Sequence, residues 1–244
     1  MKFEQLYSSS EGNLYEVTAR SGQRLLIECG VVWARLQEAI RYDLSNIMGC
    51  LVSHEHKDHS KAIFEVLEAG IPIYATSGTL DAYGIEPSER NVNVVSTMEL
   101  AEIGPFRVVA FPINHDAAEP VGFWVREVAG ENLLYATDTS HIRLRFKIPF
   151  DIIAIECSYD HERLSKQVES GEVHVAVAKR LLTSHMECHE TLRYLDEFCD
   201  LSRCREIHLI HMSGERVDRE ALKAECEKRF FIATRIVDAH VSSC

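Results

Sequence analysis

Short runs of apolar residues recur along the chain, and many of them have the length and composition that are typical of β-strands. Strands are predicted over residues 2–6, 14–19, 24–29, 48–52, 73–74, 92–95, 106–113, 121–125, 133–136, 206–210 and 231–237, with a further buried apolar run over 151–156. Helices are predicted over residues 31–42, 60–69, 173–182, 190–198 and 219–229. No internal repeat, low-complexity tract or Pro/Gly-rich linker interrupts this order, so residues 1–244 are predicted to form one α/β domain.

The segment that follows the predicted strand at 48–52 is rich in side chains that bind metals. Its sequence is Ser53-His54-Glu55-His56-Lys57-Asp58-His59. An extended backbone places the side chains of His54 and His56 on the same side, so both can face one metal ion. Asp58 and His59 follow where the chain turns away, within reach of a second ion. We therefore predict a metal site at this strand-to-helix turn, since α/β proteins usually place their chemistry at such turns.

Three more candidate ligands follow later strands, namely His115, Asp138 and His211. A single histidine after a strand is more often a hydrogen-bonded loop residue, so none of the three is sufficient alone. With the first segment they make seven candidates: His54, His56, Asp58, His59, His115, Asp138 and His211. Three histidines for one ion, an aspartate and two histidines for the other, and a bridging carboxylate would make a two-metal site that clamps a hydroxide nucleophile between its ions.

These residues resemble those of a known superfamily. The segment His54-Glu55-His56-Lys57-Asp58-His59 matches the HxHxDH motif of metallo-β-lactamase-fold hydrolases, and the three later ligands follow in the family's order. The resemblance covers nearly the whole chain and implies an α/β fold, a four-layer αβ/βα sandwich with the metals at one edge between two sheets. It also implies the ligand sets: His54, His56 and His115 for the first metal, Asp58, His59 and His211 for the second, and Asp138 as the bridge.

A narrower resemblance is to the WalJ/YycJ-like branch of that superfamily. Residues 8–13 (SSSEGN) and 26–30 (LIECG) are similar to its SSSxGN and LIDxG patterns, residues 155–160 (IECSYD) to its EANHD segment, and residues 211–213 (HMS) to its HLS. Members are regarded as nucleases, some as 5′-to-3′ DNA exonucleases, and lie near the RNase Z-like phosphodiesterases. The resemblance implies phosphodiester hydrolysis, with a nucleic acid or nucleotide as the substrate.

The same resemblance points to a catalytic histidine. Ser184-His185-Met186-Glu187 stands in place of the branch's GHLS, whose histidine lies beside the active site in the RNase Z-like enzymes. His185 is therefore the candidate general acid, and Asp58 is the metal ligand on which turnover is expected to depend. Glu28 in place of an aspartate and Tyr159 in place of a histidine are departures that bear on substrate choice.

Net charge narrows the choice of substrate. The formal net charge is −12, which argues against a broad basic surface for nucleic acid, although a local groove can be positive on an acidic protein. The alternatives to a nuclease are a cyclic-nucleotide phosphodiesterase, a lactamase-, thioesterase- or glyoxalase II-like hydrolase, and a metal-binding protein without catalysis. The imidazole-rich ligand set favours two Zn²⁺ ions, and the carboxylates also admit Mn²⁺.

Localisation is predicted from sequence signals that the chain lacks. It has no run of about 18 apolar residues and no signal-peptide pattern at its start. Its 8 cysteines form no CxxC pair, and several lie in apolar runs, as small core residues do. We therefore expect a protein of the reducing cytoplasm without a membrane span, of an oligomeric state that the sequence does not give.

Overall fold

A computed structural model describes residues 1–213 and 215–237 of the chain. These residues group into two compact units. The first unit comprises residues 1–112 and 117–131, and the second comprises residues 113–116 together with the described residues from 132 onwards. The expectation of one domain over residues 1–244 stays a prediction. Cys244 lies outside the described residues.

The first unit contains a six-stranded sheet. Its strands, in order across the sheet, are β1 (Lys2–Ser9), β2 (Gly12–Thr18), β3 (Arg24–Ile27), β4 (Ile47–Leu51), β5 (Ile73–Ala75) and β6 (Val92–Val94). Strands β1 to β3 pair antiparallel, and β3 to β6 pair parallel. Because parallel strands end at the same edge, the segments that follow β3 and β4 meet at the carboxyl edge of this sheet.

Four short helices accompany this sheet: α1 (Trp33–Ala39), α2 (Lys57–Ser60), α3 (Ile63–Glu68) and α4 (Ser77–Tyr83). Leu36 of α1, Ile63 and Val66 of α3 and Leu80 of α4 are buried in one apolar cluster with residues of the sheet. Burying each such side chain contributes roughly 1.5–3 kcal/mol, so these contacts hold the helices against the strands.

The first unit also contains three antiparallel strands. They are β7 (Leu100–Ile103), β8 (Phe106–Pro112) and β9 (Val121–Glu127). Along β8, buried Phe106, Val108 and Ala110 alternate with the more exposed Arg107 and Val109. This alternation is that of a strand with one covered face.

The second unit is built on four parallel strands, β10 (Asn132–Ala136), β11 (Ile152–Glu156), β12 (Glu206–Ile210) and β13 (Ala233–Arg235). Its helices are α5 (His161–Glu169), α6 (Val175–Ser184), α7 (Cys188–Phe198) and α8 (Arg219–Phe230). All residues of β10 and β11 are buried, as is usual for parallel strands with both faces covered. The carboxyl ends of β10, β11 and β12 lie at the same edge, where Asp138, Glu156 and His211 are found.

The predicted strands are present, with shifts at their ends. The strand predicted over 24–29 ends at Ile27 because Glu28 has a left-handed backbone, with φ 64°. The helix predicted over 31–42 is confined to α1, since Arg41 and Tyr42 also have positive φ values. At the other end of the chain, Phe231 has φ 56° and ends α8, so the last strand is β13 and is shorter than predicted.

The predicted elements differ from the structure in two further respects: one predicted helix is broken, and three elements were not predicted. The single helix predicted over 60–69 is broken between α2 and α3, because the backbone N–H of Ala62 donates to the carbonyl of Cys29 (2.9 Å) and not to the preceding turn. Helices α4 and α5, and strand β7, were not predicted. Helix α5 was not predicted because its sequence is mostly polar, and Leu164 is its one buried residue.

Candidate metal centre

The turn after β4 brings three imidazole rings together in the first unit. The ring centroid of His54 is 4.7 Å from that of His56 and 4.3 Å from that of His59. Asp58 lies in the first turn of α2, and its Oδ2 is 3.3 Å from Nε2 of His59. The structure thus groups the four predicted ligands of this segment, and their nitrogen and carboxylate donors are of the kinds that hold zinc.

Buried polar groups next to the HxHxDH turn contact its backbone and two of its imidazole rings. Glu28 is fully buried, and its Oε2 accepts a hydrogen bond from the backbone N–H of Ser53 (3.2 Å). Its other oxygen, Oε1, lies 3.6 Å from Nδ1 of His59. Oγ of Ser53 and Nδ1 of His54 are 2.9 Å apart. The Ser53 hydroxyl orients the ring of His54, as hydrogen-bonding groups commonly do for metal-binding histidines, and the Glu28 carboxylate places negative charge beside Nδ1 of His59.

Asn13 and Gly30 support the same turn through its backbone. The side-chain amide of Asn13 donates to the carbonyl of Asp58 (3.1 Å) and lies 3.2 Å from Nε2 of His59. Gly30 packs so closely that a Cβ atom there would be 1.7 Å from the carbonyl oxygen of Asp58. Both residues belong to the segments, 8–13 and 26–30, that resemble the WalJ/YycJ-like patterns. These two segments therefore pack against the HxHxDH turn and support its backbone.

Asp138 occupies a corresponding place in the second unit, at the end of β10. Its side chain is buried, with Oδ2 3.5 Å from Nε2 of His115 and Oδ1 3.3 Å from Nε2 of His211. Thr137 donates a hydrogen bond from Oγ1 to Oδ1 (2.9 Å). Asp138 and His211 both have left-handed backbones, with φ values of 44° and 53°, and such strain is commonly kept at functional sites. A carboxylate whose two oxygens face different imidazoles is suited to bridging two cations.

His115 is oriented for metal binding by a backbone carbonyl. Its Nδ1 lies 2.9 Å from the carbonyl oxygen of Ser184, which can only accept, so Nδ1 carries the proton and Nε2 presents a lone pair towards Asp138. Burial lowers the pKa of His115, although the charge of Asp138 acts in the opposite direction. The neutral imidazole, which is the metal-binding form, is therefore favoured.

Glu156 is a site residue that the sequence analysis missed. It is fully buried at the end of β11, and its Oε1 is 2.6 Å from Nδ1 of His185 and 3.3 Å from Nδ1 of His211. Burial raises the pKa of Glu156, but the charge and hydrogen bond of His185 and the contact with His211 outweigh it, so the net direction is downwards. A glutamate that ends a run of four buried apolar residues was the available signal, since a buried carboxylate needs partners.

His185, between α6 and α7, lies beside the two candidate ligand histidines of the second unit, His115 and His211. Its ring stacks on that of His211 at 5.4 Å between centroids, and its centroid lies 5.4 Å from that of His115. Nδ1 of His185 is 4.0 Å from Oδ2 of Asp138. Burial lowers the pKa of His185, but the charge and hydrogen bond of Glu156 outweigh burial and raise it. The protonated imidazole is therefore favoured, with the Glu156 carboxylate beside its Nδ1, and a protonated histidine is the form that a general acid requires.

Two other polar residues have packing roles. Tyr159 is buried with Leu164 in a small apolar cluster, and burial raises the pKa of its hydroxyl to about 12. His208 is buried, and its Nε2 lies 3.3 Å from Oε2 of Glu206. His208 is therefore a packed histidine.

A further group of carboxylates and a histidine has a structural explanation. Asp160, Glu187 and His189 of the second unit have potential ligand atoms within 4.8 Å of one another. Asp160 caps α5 by accepting from the backbone N–H of Arg163, and Glu187 caps α7 by accepting from the backbone N–H groups of His189 and Glu190. Helix capping accounts for both carboxylates.

Comparison with known proteins identifies the class of the chain. A family model described as the β-lactamase superfamily domain matches residues 23–212, which is more than half of the chain. The chain belongs to this family. The predicted α/β metallo-β-lactamase fold, with two mixed sheets and flanking helices, is confirmed, and so is the prediction of a metal-dependent hydrolase. Membership of this fold, together with the histidine and aspartate groups, indicates that the chain binds divalent metal.

Individual relatives support the narrower resemblance. The chain is 27% identical over 229 residues to exodeoxyribonuclease YycJ of Bacillus anthracis, an alignment that covers 87% of this chain and 83% of that protein. Its fold is similar to that of YhfI from Bacillus subtilis, with a TM-score of 0.74, 16% identity and coverage of 97% and 96% of the two chains. It is also similar to human tRNase Z, short form, with a TM-score of 0.63, 16% identity and coverage of 98% and 96%. Among the described residues, no helix has the length and apolar character needed to cross a membrane.

Proposed function

We propose that the chain is a two-metal phosphodiester hydrolase that removes nucleotides from nucleic-acid ends. The observation that carries this proposal is the position of Asp138, whose two carboxylate oxygens face the Nε2 atoms of two different histidines at 3.5 and 3.3 Å. A bridging carboxylate between two ligand sets is the feature that distinguishes a dinuclear site from two separate mononuclear ones.

The proposed ligands are those of the HxHxDH turn and the three later residues. His54, His56 and His115 would hold one ion, Asp58, His59 and His211 the other, and Asp138 would contact both. Imidazole nitrogens favour Zn²⁺, and the carboxylates also admit Mn²⁺. When bound, two divalent ions stabilise negative charge on phosphoryl oxygens and lower the pKa of a coordinated water towards about 7.

His185 is proposed as the general acid that protonates the leaving oxygen. Glu156 accepts the Nδ1–H of His185 at 2.6 Å, which leaves Nε2 as the atom that carries the transferable proton. The carboxylate of Glu156 also raises the pKa of His185 against the effect of burial. The pair therefore favours the protonated form of His185, which is the form that can donate to a leaving oxygen.

Nucleic-acid ends are proposed as the substrate because of the similarity to exodeoxyribonuclease YycJ of Bacillus anthracis. The alignment with that protein covers most of both chains. The formal net charge of −12 argues against a long basic groove for a nucleic-acid strand. A substrate held by its end, at the metals and over a short local groove, is consistent with both facts.

The test is a substrate panel with end-labelled DNA and RNA, cyclic AMP, cyclic GMP, a β-lactam and a thioester, each with Zn²⁺ and with Mn²⁺. We expect nucleotides to be released from one end of the labelled strands and little turnover of the other substrates. Asp58→Ala should abolish the activity, whereas Asp81→Ala, an exposed aspartate on α4, should not. Rapid turnover of the cyclic nucleotides with inert oligonucleotides would overturn the nuclease assignment, and activity on the β-lactam or thioester alone would overturn the phosphodiesterase assignment.

A further inference from the structure

A cavity of about 280 Å³ lies in the first unit, and Lys61, one of its lining residues, comes two residues after the HxHxDH turn. Its lining includes Tyr7, Ser9, Glu11 and Gly12 from the β1–β2 hairpin, Arg35 from α1, and Lys61, the residue after α2. Two of these side chains are cations, Arg35 and Lys61, and one is an anion, Glu11. The lining therefore carries a formal charge of +1 on a chain whose total is −12.

The two cations are available to a ligand. Within residues 1–213 and 215–237, neither Arg35 nor Lys61 forms an ion pair, and both side chains are exposed. Nζ of Lys61 donates to the backbone carbonyl of Glu11 (3.1 Å), which holds the ammonium group at the cavity. Oγ of Ser9 accepts from the backbone N–H of Glu11 (3.2 Å), so its own proton can be donated to an acceptor.

Two segments that line this cavity are directly connected to the HxHxDH turn or to a residue that contacts it. Lys61 is two residues after His59, and Gly12 directly precedes Asn13, whose amide contacts both Asp58 and His59. The floor is tightly packed, because a Cβ atom on Gly12 would lie 2.8 Å from the carbonyl oxygen of Gly30. A polymeric substrate whose reacting phosphate lay at the turn would therefore have another of its phosphates near the cavity.

We propose that the cavity between Arg35 and Lys61 binds an uncleaved phosphodiester of a single-stranded nucleic acid, which deepens and rests on the proposed nuclease function. Cationic side chains that follow the backbone, beside an aromatic residue such as Tyr7, are the usual means of holding a single strand. The opposing carboxylate of Glu11 favours a singly charged internal linkage over a terminal monophosphate, which carries about −1.5 to −2 near neutral pH. Arg35 and Lys61 are thus positioning residues for the strand.

The test compares Arg35→Ala and Lys61→Ala with Arg90→Ala and Lys228→Ala, which remove exposed cations elsewhere. Arg90 is a suitable match in the first unit, because it precedes β6 and so lies near the amino end of the parallel strands, whereas the HxHxDH turn follows the carboxyl end of β4. The readout is the ratio of kcat/KM for a single-stranded oligonucleotide to that for bis(p-nitrophenyl) phosphate. We expect this ratio to fall about 10-fold or more in the two cavity variants and to stay constant in the two controls.

Binding of a fluorescent oligonucleotide, followed by anisotropy at several salt concentrations without added metal, gives an independent measurement. Loss of one phosphate contact should reduce the slope of log Kd against log salt by about 0.7 in the Arg35→Ala, Lys61→Ala double variant. A neutral methylphosphonate, moved one linkage at a time along the strand, should weaken binding to the unmodified protein at one linkage and have no further effect on the double variant.

Two outcomes would overturn the proposal: an unchanged kcat/KM ratio, whether the two rates stay the same or fall equally, or an effect seen only with a 5′-phosphorylated end. If the protein hydrolyses no phosphodiester at all, the proposed function fails. The salt slope and the methylphosphonate scan would then decide by themselves whether the cavity binds a strand.

Discussion

Asp138 shows how much of the chemistry depends on single residues. Its buried carboxylate lies among imidazoles and near a second buried carboxylate, Glu156, whose negative charge it repels. Two buried carboxylates are costly unless positive charge accompanies them. A divalent cation at Asp138 would supply that charge, so metal binding and the stability of the folded chain should be linked.

Metal content is the first expected consequence. Reconstitution with Zn²⁺ or Mn²⁺ should give about two equivalents per chain by elemental analysis, and metal at one hundred times its Kd should stabilise the fold by about 3 kcal/mol. Asp138→Asn should lose both ions because one carboxylate serves both, while Asp58→Ala should lose only the second.

Asp196→Asn is the matched control, since Asp196 lies on the surface of α7, where its Oδ2 pairs with Arg229 at 2.7 Å. It should retain the metal content and melting temperature of the unchanged protein. Two equivalents in Asp138→Asn would contradict the bridging role.

The acid role of His185 makes a second prediction. His185→Ala should slow phosphodiesters with poor leaving groups by about 10²–10⁴-fold, because their alkoxides need a proton as they depart. Aryl phosphodiesters with good leaving groups should lose much less. Steady-state rates over a series of leaving groups measure this, and equal losses across the series would indicate damage to structure or binding instead of a lost acid. Glu156→Gln, which removes the negative charge beside Nδ1 of His185, should produce the same leaving-group dependence in weaker form.

At the scale of elements, the two units place the side chains of the candidate metal centre in the same way. In the first unit, the carboxyl end of β4 leads into the HxHxDH turn, and the end of β3 supplies Glu28 behind it. In the second, the ends of β10, β11 and β12 lead to Asp138, Glu156 and His211. Parallel strands collect such side chains because their carboxyl ends lie at one edge of the sheet.

The close packing of Gly30, after β3, against the backbone of Asp58 in the HxHxDH turn can be tested by substitution of Gly30. Gly30→Ala would place a methyl group 1.7 Å from the carbonyl oxygen of Asp58, so the turn has to move. We expect a loss of stability of about 1–3 kcal/mol or more, together with weaker metal binding at Asp58 and His59. Denaturant unfolding and metal titration measure the two effects.

Gly22→Ala separates this effect from a general cost of replacing glycine. Gly22 has φ +84° in an exposed turn, and a Cβ atom there meets nothing within 4 Å. It should lose about 1–2 kcal/mol through backbone strain and keep its metal affinity. Equal metal affinity in Gly30→Ala would mean that the contact does not position the turn.

At the scale of the whole molecule, stability should depend on pH through His208. Burial lowers the pKa of His208 to about 4, below its ordinary value of 6.5, and the neighbouring Glu206 offsets this only in part. The unfolded chain therefore binds a proton at this residue between those values that the folded chain does not. Its contribution is fully present above about pH 6.5 and is lost as pH falls towards 4, by at most about 3 kcal/mol.

Denaturant unfolding between pH 4.5 and 7.5 measures this dependence. His208→Gln should flatten the curve over that range, because glutamine does not titrate. His161→Gln, which changes an exposed histidine at the start of α5, should leave the slope as it is. An identical slope in His208→Gln would show that other groups cause the loss of stability at low pH.

The sequence by itself determined the fold class, most of the strands and the identity of the ligand candidates. Two of these features are local properties that can be read without tertiary information: apolar runs such as 152–155, and the spacing of the ligand candidates His54, His56, Asp58 and His59. The tertiary structure decided which side chains meet across those runs. Glu156 contacts His185 and His211, and Asn13 contacts His59, at sequence separations of 29, 55 and 46 residues. Such partners are set by the pairing of strands and the packing of loops, because contact between distant residues is a property of the folded chain and not of any local pattern.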